Sequence, residues 1–164
     1  AVNFVDKMFL KNKTNNCSIN PALIADIWGR KQETDKANIE KIKIVDLKDS
    51  EREYFMSNEA MKIKTFFRQP ILHSDNSFLW IGIYREDAVY CQGVILPLIR
   101  GKDLEILFSK LPLLPGKYRV SAGIWNKSDA KFLDCHHGIY GFRMVFNRHD
   151  HGTVYMEHEW RLNI

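Results

Sequence analysis

Apolar and polar positions alternate with a period of two along most of this chain. The clearest run is Tyr118–Trp125, where Tyr118, Val120, Ala122 and Ile124 share one parity and Arg119, Ser121, Gly123 and Trp125 the other. A period of two sends alternate side chains to opposite faces of a sheet, so this stretch predicts a half-buried strand. Pro115-Gly116 ahead of it supplies the turn. Met61, Ile63, Thr65 and Phe67 alternate in the same way with Lys62, Lys64, Phe66 and Arg68. Phe78–Tyr84 is more apolar throughout and predicts a central strand with Leu79, Ile81 and Ile83 inward. Arg85-Glu86-Asp87 then connects it to Ala88–Leu96 as a hairpin.

Further strands are expected at 22–29, 39–47 and 104–111, at Ile139–Phe146 with Tyr140, Phe142, Met144 and Phe146 on one face, and at Val154–Leu162. Residues 1–20 read as a linker or swapped arm, a short amphipathic helix or an added strand, and residues 21–164 as one β-sandwich domain. Eight to ten short strands, turns every 8–14 residues and almost no helical periodicity define an all-β protein. The expected architecture is a two-sheet antiparallel β-sandwich of immunoglobulin-like or jelly-roll-like form.

Composition narrows the function classes. The net charge of +4 is spread evenly along the 164 residues, unlike the concentrated basic element of a nucleic-acid binder, so no nucleic acid is expected. No apolar run is long enough for a transmembrane helix. Three cysteines without C-x-x-C spacing fit a reducing compartment, and Cys91 reads as a small core residue. Gly101-Lys102 and Gly116-Lys117 lack the rest of a phosphate loop, and no G-x-G-x-x-G occurs, so no nucleotide cofactor is encoded.

Two constellations hold chemistry. His149, His151 and His158 bring to mind a metal site on a β-scaffold, and with it a metal-dependent sugar-modifying enzyme. The spacing matches no metal signature, so His136, His137, His149 and His151 read as loop or surface residues and His158 as a core histidine; no metal site is assigned. The second constellation is aromatic. The outward parity assigns Trp80, Tyr84, Tyr90, Gln92, Arg119, Ser121 and Trp125 to one face of adjacent strands. Aromatic rings stack on the C–H faces of sugars while planar polar groups bind hydroxyls, so these residues are candidates for carbohydrate binding. A subunit interface or a loop covering the sheet uses the same residues equally well. On this reading Trp125 is exposed and Trp160 belongs to the core.

A family resemblance rests on a succession of segments: 26–29 (DIWG), 37–46, 61–66, Leu114–Trp125, Leu133-Asp134, Gly141–Arg143, Gly152–Val154 and His158–Trp160. In this order the chain resembles the C-terminal carbohydrate-binding domain of the ATPase subunit of O-antigen polysaccharide ABC transporters, the Wzt type. Glu157 stands where that family usually carries proline. The resemblance implies a β-sandwich that recognises the terminus of a lipid-linked O-polysaccharide without catalysis, in a Gram-negative cell. It implies ATP hydrolysis in a separate N-terminal domain, and a homodimer formed by exchange of an edge strand, either the leader or Met156–Leu162. It also implies a cytoplasmic location at the inner membrane face, through the transporter's membrane subunit. It does not assign sugar-binding residues.

Overall fold

Most of the strands form two facing sheets in a computed structural model, which describes residues 9–11, 17–19, 31–33, 38–71, 77–97, 101–126, 131–145 and 150–158. Eleven strands are described: β1 (Phe9–Lys11), β2 (Cys17–Ile19), β3 (Lys31–Glu33), β4 (Ile39–Val45), β5 (Tyr54–Met56), β6 (Met61–Ile71), β7 (Ser77–Arg85), β8 (Tyr90–Pro97), β9 (Gly101–Phe108), β10 (Gly116–Asn126) and β11 (Lys131–Val145). The larger sheet runs β3-β11-β10-β7-β8, with β5 also beside β11; the smaller runs β4-β6-β9. Strands β1 and β2 pair with each other. Among the described residues there is no helix. The expected β-sandwich is the observed fold, with one departure from antiparallel order, since β5 runs parallel to β11.

The core lies where the inward parity of each sheet meets the other. Ile39, Ile42 and Ile44 of β4 and Met61, Ile63 and Phe67 of β6 come from the small sheet. Leu79, Ile81, Ile83, Tyr118, Val120, Ala122, Ile124, Phe142 and Met144 face them from the large one. Each large aliphatic or aromatic side chain buried this way stabilises the fold by about 1.5–3 kcal/mol. Tyr118 also closes its own turn, its hydroxyl donating to the carbonyl of Leu114 at 2.8 Å.

One buried carboxylate fastens the sheets together. Asp134 on β11 accepts the backbone N–H groups of Asn38 (2.9 Å) and Ile39 (2.7 Å) at the start of β4. His136 lies 3.6 Å from the same carboxylate through Nε2, and its Nδ1 is 2.7 Å from the Tyr140 hydroxyl. Burial is the main cause that pushes Tyr140 up to about 12, so its hydroxyl stays protonated there. Segment 133–134, noticed in the sequence only as part of a resemblance, therefore contributes a connection between layers.

Several expectations change. Strand β11 begins eight residues before the expected Ile139, and β5 was not foreseen. His136 and His137 are strand residues, both fully buried, rather than loop or surface histidines. The expected strand Val154–Leu162 is absent over its described part: Val154 makes a single bridge to Leu113, and Met156 is 78% exposed. His158 is exposed, with Nδ1 2.9 Å from the carbonyl oxygen of Met156, because no strand carries it into the core. Phe146, His149, Glu159, Trp160, Leu162 and segment 22–29 lie outside the described residues. Cys91 is half-buried against the core cluster.

Candidate functional site

The outer face of the large sheet, opposite the core, carries most of the residues singled out in the sequence. Cross-strand partners share a face, and Gly123 pairs with Trp80, Arg119 with Tyr84, and Tyr84 with Tyr90. Trp80, Tyr84, Tyr90, Arg119, Ser121 and Trp125 thus lie together. Gln92 does not join them. A register shift after the Ile83–Gln92 pair makes Cys91 an extra residue on β8, which reverses the parity and places Gln92 opposite the core residue Ile83.

Burial divides this face into two halves. At one end Trp80, Tyr84 and Trp125 are buried, with 0%, 1% and 8% of their surface exposed, so Trp125 is not the exposed platform expected from the sequence. Trp80 packs at 5.9 Å from Phe132 and 6.4 Å from Tyr84, Tyr84 at 5.0 Å from Tyr90 and His137, and Trp125 edge-on to Phe132 at 5.4 Å. Glycines let these rings lie close to the sheet. A Cβ on Gly82 would come within 2.6 Å of the Trp80 ring, and one on Gly123 within 2.5 Å of Phe132. This half is a second, aromatic core layer, and burial drives the Tyr84 hydroxyl well above its ordinary range.

The other half is open and polar. A trough of about 310 Å³ is lined by Glu53, Glu86, Lys117, Tyr118, Arg119, Gly141, Phe142 and Arg143. Gly141 sits opposite Arg119, and Arg143 opposite Lys117. The nearest atom to a Cβ on Gly141 would be 4.0 Å away, so the missing side chain leaves a gap above the sheet. Glu86, in the β7–β8 turn, lies 3.3 Å from Lys117 Nζ and 3.8 Å from Arg119 Nη2. Its own N–H donates to the carbonyl of Lys117, which ties that turn to β10. Tyr54 on β5 stands beside Arg143, half exposed, with the guanidinium 6.0 Å from its ring.

The buried half positions the open one. Between the Val120–Tyr140 and Ala122–His136 pairs, β11 bulges, setting three of its residues opposite the single residue Ser121. Gly138 in this bulge has φ 62°, a left-handed conformation that glycine adopts without strain. Ser121 Oγ accepts the Gly138 N–H at 2.8 Å and lies 2.7 Å from Nδ1 of His137, itself enclosed by Trp80 and Tyr84. The carbonyl of Gly138 in turn accepts Arg119 Nη1 at 3.2 Å. The guanidinium is thereby held in one place, and fixed polar groups are what a weak, hydroxyl-rich ligand requires.

Lys117, Gly141, Arg143, Glu86 and Tyr54 were missed in the sequence. A signal existed for two of them, because Gly141 and Arg143 occupy the parity complementary to Tyr140, Phe142 and Met144. No sequence pattern signals the bulge that places His137. Among the described residues, no group of three histidine, cysteine or acidic side chains is arranged to hold a metal. His158 lies 3.7 Å from Asp150, and His149 is outside the described residues.

The fold and this outer face define a β-sandwich with a built polar trough. The family described as the Wzt C-terminal domain matches residues 29–156, and the chain belongs to that family. A crystal structure titled as the C-terminal domain of Wzt superposes with a TM-score of 0.63 at 15% identity, covering 81% of this chain and 87% of that one. Weaker likenesses include the PmoD soluble domain from Methylocystis sp. ATCC 49242 (TM-score 0.41, 10% identity, 68% and 100% covered). Superoxide reductase from Ignicoccus hospitalis is another (0.37, 14%, 69% and 85%). No curated protein sequence matches the chain. Among the described residues no helix is long and apolar enough to cross a membrane.

Proposed function

We propose that this domain is a non-catalytic carbohydrate-binding module that recognises the terminus of a specific lipid-linked O-polysaccharide for export by an ABC transporter. The observation that supports it most is the trough over Gly141, where immobilised Arg119 shares the sheet face with Arg143 and the half-exposed aromatic beside it, Tyr54. Stacking on Tyr54, hydrogen bonds donated by Arg119, Arg143 and Lys117, and hydrogen bonds accepted by Glu86 suit a sugar ring, and binding requires no bond to break. Of the residues expected from the sequence, Arg119 touches the glycan directly. Ser121, Trp80, Tyr84, Tyr90 and Trp125 form the supporting layer, and Gln92 lies off the site. Family membership supports the wider reading: an ATPase domain of the same transporter supplies ATP hydrolysis, and a membrane subunit holds the assembly at the cytoplasmic face of a Gram-negative inner membrane. A homodimer by edge-strand exchange belongs to the same proposal.

Calorimetric titration with the O-polysaccharide of the source strain, against that of an unrelated serotype, tests it. The expected result is saturable binding of the first alone. Tyr54→Ala is expected to weaken it by roughly tenfold, since loss of one stacking ring costs about 1–3 kcal/mol in comparable base–aromatic contacts. Equal binding of both glycans, or of neither, would reject the proposal.

A further inference from the structure

The charges of the trough are unevenly matched. Three cations, Lys117, Arg119 and Arg143, share it with two acids, Glu53 and Glu86. Glu86 lies against Lys117 and Arg119. Arg143 forms no ion pair among the described residues; its guanidinium faces the ring of Tyr54 instead. Arg119 and Arg143 are diagonal neighbours on adjacent strands, separated by the residue that has no side chain, Gly141. Such diagonal positions are about 7–8 Å apart, within reach of two long side chains converging on one group. A guanidinium offers a planar fork of donors that fits the two oxygens of a carboxylate or phosphate, and two forks fit one such group from both sides.

We propose that the trough takes a glycan bearing a single anionic substituent, a carboxylate or a phosphate ester, held between Arg119 and Arg143 above Gly141 while Tyr54 supports the adjoining ring. This rests on the reading that the outer face binds glycan, and it adds the ligand's charge. The acids set the limit at one substituent, because Lys117 and Arg119 already have Glu86 beside them and Arg143 has no ion-pair partner among the described residues. A neutral sugar leaves Arg143 without a counter-charge, and a polyanion meets Glu53 and Glu86.

The test is an amide and guanidinium NMR titration of the ¹⁵N-labelled chain at constant ionic strength, with sodium glucuronate, glucose 1-phosphate and, as the neutral control, glucose. The expected result is saturable shifts at Arg119, Gly141 and Arg143 with at least one of the anions and none with glucose. Glucuronate alone identifies a uronate-type carboxylate, glucose 1-phosphate alone a phosphate ester. Arg143→Gln, an exposed position whose substitution leaves the core intact, is expected to weaken the response at least tenfold. Absence of saturation with both anions, equal shifts with glucose, or an undiminished response in Arg143→Gln would overturn the proposal. The native polysaccharide separates the two levels. If it shifts these amides while both anions fail, the glycan face stands and the anionic substituent falls; if it shifts none of them, the glycan reading falls as well.

Discussion

Trp80→Ala is expected to remove about 3–5 kcal/mol of stability, the cost of emptying a fully buried aromatic site. For a domain of this size that lowers the melting temperature by on the order of 10 °C. The indole has none of its surface exposed and touches Tyr84, Phe132 and His137, so the loss spreads through the aromatic layer. Gly82, covered by the same ring, cannot compensate, because the space above it exists only for that ring. Urea and thermal melts of the two proteins decide the matter. A loss below about 1 kcal/mol would mean that the outer layer is loosely packed and contributes little.

Asp134→Ala is expected to cost a comparable amount by another route. Its carboxylate accepts two backbone N–H groups from the opposite sheet, at 2.9 and 2.7 Å, from within the core. Hydrogen bonds to a charged acceptor contribute about 1.5–3 kcal/mol each, and the donors left behind at Asn38 and Ile39 would be stranded beside apolar neighbours. The sum is roughly 3–6 kcal/mol. Asp134→Asn, which keeps an acceptor oxygen without the charge, should recover part of it. Hydrogen exchange at the Ile39 amide reads the local effect directly. If that amide stays protected in Asp134→Ala and the melt is unchanged, the carboxylate does not fasten β4 to β11.

Parity made much of this architecture legible before any coordinates. Tyr118, Val120, Ala122 and Ile124, like Leu79, Ile81 and Ile83, are where the alternation puts them, because a strand with one face in a core leaves no other register. The outward set was also assigned to the correct face, except at Gln92, where the extra residue Cys91 in β8 reverses the alternation. Alternation reports direction and carries no information on burial. It could not show that Trp80, Tyr84 and Trp125 are enclosed on the outer face while Arg119 and Tyr54 remain accessible. Strand β5 was hidden because three residues, Tyr54-Phe55-Met56, are too few to display a period. The first part of β11 was hidden because Asp134, His136 and His137 look like loop chemistry. Their burial depends on partners distant in sequence: Asn38 and Ile39 for Asp134, and Ser121 for His137.

On the proposed function, the open half of the outer sheet face binds glycan and the aromatic half beside it only supports. Amide shift mapping with the O-polysaccharide of the source strain measures this most directly. The largest saturable changes are expected at Tyr54, Lys117, Arg119, Gly141 and Arg143, and small ones at Val120, Ile63 and Ile81 in the core. Largest changes on the outer face of the small sheet, around Lys41, Lys64 and Glu105, with Arg119 and Gly141 unmoved, would contradict it.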